Sequence, residues 1–218
     1  MTVSGYAKPN RHSSEIDSSM EQDMIGRVLR ASTRGFVCGT HSANIGERHD
    51  FGAFVKVPVT NDANQWVIGL IYAIEIKDDL LIGELVMAEA VNPNILRDQR
   101  ENRLIPVEIS VLNVGYYSGS GFIHSLPPRP PMSLSAVSLC TAEEIVAFTH
   151  HPDYLRLVLQ ASEVPSDDLI AMTLRYAAMC YYEGNDRRTF MVENGRHLAR
   201  MLSNDLKRLS QILGLIKL

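Results

Sequence analysis

Between Met24 and about Val137 the chain is a series of short runs rich in Val, Ile and aromatic residues, with no helix-length periodic segment between them. Side chains alternate across a strand, so such runs, cut by turn formers, predict β-structure. MIGRVLRAST predicts a first strand. FGAFVKVPV predicts a second, with Phe51, Phe54, Val55 and Val57 apolar and Pro58 closing it. WVIGLIYAIEI, Trp66 to Ile76, is the strongest run and stops at Lys77-Asp78-Asp79. LIPVEISVLNVGYY alternates at Val107, Ile109, Val111 and Val114. Ser118-Gly119-Ser120-Gly121 then predicts a tight turn, and GFIHSL returns as the hairpin partner. The segment Leu80 to Ala88 fits a strand or a short helix, ended by Asn92-Pro93-Asn94. Strands at this spacing without crossover helices favour an antiparallel sandwich or small barrel over a parallel sheet. A barrel also removes the exposed edges that β-branched strands otherwise offer.

Beyond the prolines of SLPPRPPM, Ser125 to Met132, the hydrophobic period changes. Thr141-Ala142-Glu143-Glu144 fits a capping box. His151-Pro152 predicts a second short helix with Leu155, Leu157, Val158 and Leu159 inward. Pro165-Ser166-Asp167-Asp168 predicts a third start, because carboxylates suit the positive end of a helix, and Gly184-Asn185 predicts its stop. From about Arg187 to Ile216, Leu198, Met201, Leu202, Leu206, Leu209, Ile212, Leu213 and Ile216 recur in steps of three and four, predicting one long helix. The fold class expected is therefore segregated α+β: a small closed antiparallel β-barrel followed by a C-terminal α-helical bundle or tail. The divisions expected are a flexible arm over 1–22, a barrel over 23–137 and a helical domain over 138–218. SLPPRPPM reads as a stiff polyproline spacer between barrel and tail.

A chain of 218 residues with 45% hydrophobic and 21% charged residues has the balance of a globular protein. Cys38, Cys140 and Cys180 are few, distant and odd in number, which suits reduced thiols in the cytoplasm. The N-terminal segment has no apolar core, so it is not read as a secretory signal, and no run is long enough to span a membrane. The net charge of −4 argues against a general nucleic-acid binder. The charge is unevenly spread, however: from Arg187 onward seven basic residues face only Glu193 and Asp205.

Catalytic signatures do not emerge. There is no phosphate-binding G-x-x-x-x-G-K-[ST], and Gly115-Tyr116-Tyr117-Ser118-Gly119 is a hairpin turn, not a nucleophile elbow. His150 and His151 are adjacent, so on a helix they diverge and cannot easily grip one ion. Glu75, Asp78 and Asp79 beside Lys77 read as a solvated turn. No enzyme activity, cofactor or metal is expected. The residues best suited to partner contact are Arg100, Arg103 and Arg129, with Leu202, Leu206, Leu209 and Leu213 of the apolar stripe. Arg196, Arg200, Lys207 and Arg208 lie close to one face and form the candidate nucleic-acid surface.

The series MIGRVLRAST, FGAFVKV, WVIGLIYAIEI, DQRENRLIPVEISVLNVGYY and LPPRPP resembles the HAS-barrel, the small barrel named for HerA-type translocases and the ATP synthase head. The resemblance rests on Ile25-Gly26-Arg27-Val28 leading into Ser32-Thr33, on Phe51-Gly52 with Val55, and on Val67-Ile68-Gly69. It implies association: in that family the barrel heads a hexameric ATPase and can receive a partner. No ATPase core follows here, only helices. The expectation is a non-enzymatic oligomerisation or adaptor protein, assembling with itself or docking an ATPase, nuclease or other DNA-processing partner. The rival expectation is a nucleic-acid-binding accessory factor using the basic C-terminal helix.

Overall fold

The structure, a computed structural model, describes residues 24–41, 45–46, 49–59, 65–77 and 106–216. Seven strands are described: β1 (Met24–Ala31), β2 (Gly35–His41), β3 (Phe54–Pro58), β4 (Trp66–Ile76), β5 (Pro106–Tyr117), β6 (Phe122–Ile123) and β7 (Ala136–Leu139). Their order is β2-β1-β7-β3-β4-β5-β6, and β2 pairs again with β5, closing a six-stranded barrel with β6 as an outlier on β5. Every pairing is antiparallel. Five α-helices follow: α1 (Ala142–Thr149), α2 (Leu155–Gln160), α3 (Ser166–Cys180), α4 (Asn185–Met201) and α5 (Leu206–Ile216), with a 3-10 turn over Pro152–Tyr154 before α2. The fold is α+β, a closed antiparallel barrel followed by C-terminal helices.

The strong strands read as nearly continuous hydrophobic runs because both their faces are covered. Val55, Val57, Val67, Ile71, Val107, Ile109 and Val111 fill the barrel. The alternating positions Phe54, Ile68, Leu70, Leu112 and Val114 point outward into a second core shared with the helices. Aromatic rings join the two layers: Phe148 lies edge-on to Phe54 at 6.1 Å and to Phe122 at 5.5 Å, and meets Tyr154 at 5.3 Å. Helix α3 is central, packing against each of the other four helices.

Two strands escape the sequence reading. β2, GFVCGTH, has two glycines and few β-branched residues, yet it supplies the closure onto β5. A Cβ on Gly35 would collide with the backbone carbonyl of Val111, so the close approach at this seam needs glycine. β7 is only four residues long and completes the ladder between β1 and β3.

β7 also corrects the reading of SLPPRPPM. The prolines connect β6 to β7 within the barrel, with Pro127 and Pro131 buried and Pro128, Arg129 and Pro130 exposed. Proline cannot donate to a ladder, so the segment is a connection between strands. The passage from barrel to helices is Cys140-Thr141: the Cys140 amide donates to the Phe54 carbonyl at 3.0 Å, and Thr141 caps α1. The capping box is complete, with Thr141 Oγ1 accepting from the Glu144 amide at 3.2 Å and Glu144 accepting from the Thr141 amide at 2.8 Å.

The single long helix expected after Arg187 is two. Asp205 Oδ1 accepts from the Arg208 amide at 3.0 Å, capping α5 after a turn over 202–205. A short polar side chain that bonds its own backbone competes with a continuing helix. Leu213 of α5 then lies beside Gly195 of α4, so the chain folds back on itself. The arm over 1–22, the segment Leu80 to Ala88 with its Asn92-Pro93-Asn94 stop, and Asp78 and Asp79 lie outside the described residues.

Candidate functional site

The apolar stripe divides between two roles. Leu202 and Leu209 are buried in the core shared by barrel and helices, so they are engaged within the chain. Leu206 and Leu213 are exposed, at 69% and 40%, and Leu215 accompanies them. Helix α5 thus buries Leu209, Ile212 and Ile216 at the centre of its apolar stripe and leaves Leu206 and Leu213 partly exposed along one edge of it.

The basic set is divided too. Arg208 is anchored, with Nε donating to Asp167 Oδ1 at 2.7 Å and a terminal nitrogen donating to Ser166 Oγ at 2.8 Å. Arg196, Arg200 and Lys207 are exposed. Arg196 and Arg200 line one open depression of about 630 Å³ with Pro152, Glu193 and Ala199. Arg129 stands exposed in the proline segment, whereas Arg100 and Arg103 lie outside the described residues.

A second depression, of about 490 Å³, adjoins the first across Pro152 and Glu193. It is bounded by the C-terminal ends of α1 and α3 and by the first half of α4. Tyr181 and Phe190 stack at 4.4 Å on its wall. Thr149 Oγ1 donates to the Ile145 carbonyl at 2.7 Å and lies 3.0 Å from Tyr181 Oη, which itself lies 3.3 Å from the Val146 carbonyl. Asn194, 2% exposed, donates through Nδ2 to the Phe190 carbonyl at 2.9 Å while its Oδ1 has no partner. Sequence reading passes over this cavity. Its one legible signal is Asn194, a polar residue at the inward step of Phe190, Asn194 and Leu198.

A third cleft, of about 370 Å³, is lined by Arg30, Arg34, Tyr72 and Glu163 among others. Both arginines are already paired there, Arg30 with Glu108 at 2.8 Å and Arg34 with Glu163 at 3.3 Å. Hydrogen bonding from Arg30 and Lys77 holds the Glu108 carboxyl below the usual carboxylate range, so this group is a structural anion.

Thiol chemistry is suppressed. Burial pushes the Cys38 thiol up to about 12, and burial raises Cys140 and Cys180 as well. A reactive cysteine needs the opposite shift. Among the described residues no group of three His, Cys, Asp or Glu side chains is placed to hold a metal ion, and no helix is long and apolar enough to cross a membrane. Compared with known proteins, the chain matches no protein-family model and no curated protein.

Proposed function

We propose that this chain is a non-enzymatic, cytoplasmic assembly protein of HAS-barrel type, and that it associates with a second copy of itself through α5. The observation that carries the reading is the exposed pair Leu206 and Leu213, one heptad step apart along the edge of a helix face whose centre is already buried. Apolar residues beyond what a chain's own core uses suit burial against a partner. The closed barrel supports the resemblance, and the resemblance in turn favours association. An ATPase or a nuclease is the proposed partner of the assembled form.

Light scattering and sedimentation on the purified protein test this. The expected result is an oligomer that dissociates in a Leu206→Ser, Leu213→Ser double variant of unchanged melting temperature. A strict monomer that retains no ATPase or nuclease from extract sinks the proposal.

A second reading, a nucleic-acid accessory factor, draws support from Arg196 and Arg200 sharing one depression. Glu193 in that depression and the engagement of Arg208 weaken it. It predicts binding that falls steeply with salt as counterions are released. A gel shift at low salt with no complex removes it.

A further inference from the structure

The cavity bounded by α1, α3 and α4 is lined by two carboxylates and by a buried, unpartnered amide oxygen, and from this we infer that it is a binding site for a cationic group, an alkylammonium or a guanidinium. Its volume of about 490 Å³ falls in the range of small-molecule sites. The inference does not rest on self-association through α5.

Donors and acceptors decide the sign of the ligand. The Thr149 hydroxyl proton is directed to the Ile145 carbonyl, and the Tyr181 hydroxyl proton has Thr149 Oγ1 and the Val146 carbonyl as its acceptors. What these groups leave open is lone pairs. Asn194 adds a carbonyl oxygen that is buried and unpartnered, which costs free energy until a donor reaches it. His150, Asn185 and Thr189 on the rim carry both donors and acceptors, so they do not set the sign.

The charged groups that line the cavity itself have the same preference, while Arg196 and Arg200 lie in the adjoining depression. Helices α1 and α3 both end at the cavity, and their terminal carbonyls present partial negative charge. Asp186 and Glu193 line it and add two carboxylates. The opposing N-terminus of α4 carries Asp186 in its own first turn, which offsets its positive end. The molecule already places one guanidinium at this helix end: Arg187 Nε donates to the Ala178 carbonyl of α3 at 2.8 Å. The aromatic rings of Tyr181, Tyr182 and Phe190 suit a cation, whose charge is attracted to a ring face.

Such a cation can come from a free amine or from an arginine or lysine side chain of another protein. Calorimetry on the full chain at low salt separates the two, using putrescine as one probe and acetyl-arginine amide and acetyl-lysine amide as others. Binding of putrescine alone assigns a free amine, and binding of the amides assigns a side chain. Acetyl-citrulline amide, neutral but of similar shape, and inorganic phosphate are the controls. Glu193→Gln and Asn194→Leu are each expected to weaken cation binding by about tenfold. Because Glu193 is exposed, its variant keeps the fold even if Asn194→Leu does not. The inference is overturned if no cation binds at millimolar concentration, if citrulline or phosphate binds as well as the cations, or if Glu193→Gln leaves affinity unchanged.

Discussion

Arg208 of α5 grips Asp167 in the first turn of α3, Nε to Oδ1 at 2.7 Å, across 41 residues of sequence. The contact holds the last helix on the central one and places the carboxylate at the positive end of α3. The Arg208 and Asp167 side chains are each 31% exposed, so solvent screening discounts the pair. Arg208→Ala is expected to destabilise the fold by about 1 kcal/mol. Arg196→Ala and Arg200→Ala, both exposed, should fall within about 0.5 kcal/mol of wild type. Urea denaturation of the three variants checks the ranking, and equal losses would contradict it.

Barrel closure depends on Gly35. The obstacle to a side chain there is the Val111 main chain, which cannot rotate aside as a side-chain tip can. Gly35→Ala is therefore expected to cost about 1–3 kcal/mol, in the range of overpacked sites. The loss should appear as a lowered melting temperature, with amide exchange accelerated first along Gly35–His41 and its partner residues on β5. A variant as stable as wild type would show that the seam can relax.

Acid stability should respond to His124. Burial holds its imidazole below the usual 6.5, although the Phe148 carbonyl, 2.9 Å from Nε2, acts in the opposite sense. His197 is lowered for the same reason, burial. Unfolded, each imidazole binds its proton at higher pH than it does folded. Stability is therefore full above 6.5 and is lost as pH falls from there through the folded value. His124→Gln keeps a donor for the Phe148 carbonyl and removes one titration. Denaturant midpoints measured from about pH 8 to 5 should fall less steeply in that variant; an identical slope refutes the assignment.

The barrel should not survive alone. Ending the chain after Thr141 would strip the helices from Phe54, Ile68, Leu70, Leu112 and Val114. A contiguous apolar face of that kind drives aggregation. The expected outcome is an insoluble or dye-binding product, measured by sedimentation and by ANS fluorescence. A soluble, cooperatively unfolding product would mean that the barrel is an independent unit.

Much of this architecture is legible in the residues themselves. Trp66 to Ile76 forms a strand with the bounds its β-branched run predicts, and Thr141 with Glu144 makes the capping box its spacing predicts. Both are local: alternation and capping act within a few residues, so composition and order suffice to determine them. The change of period near the prolines likewise determines that strands precede helices.

What only the tertiary structure decides is pairing and exposure. Gly35–His41 and Ala136–Leu139 are weak strands by composition, and they form because β5, β1 and β3 offer them ladder partners. For that reason SLPPRPPM lies within the barrel and not after it. Leu202, Leu206, Leu209 and Leu213 share one sequence pattern, yet two are buried and two exposed once α5 folds back at Asp205. Periodicity marks the apolar side of a helix, but only the packed neighbours determine which of those residues meet the protein's own core and which remain for another surface.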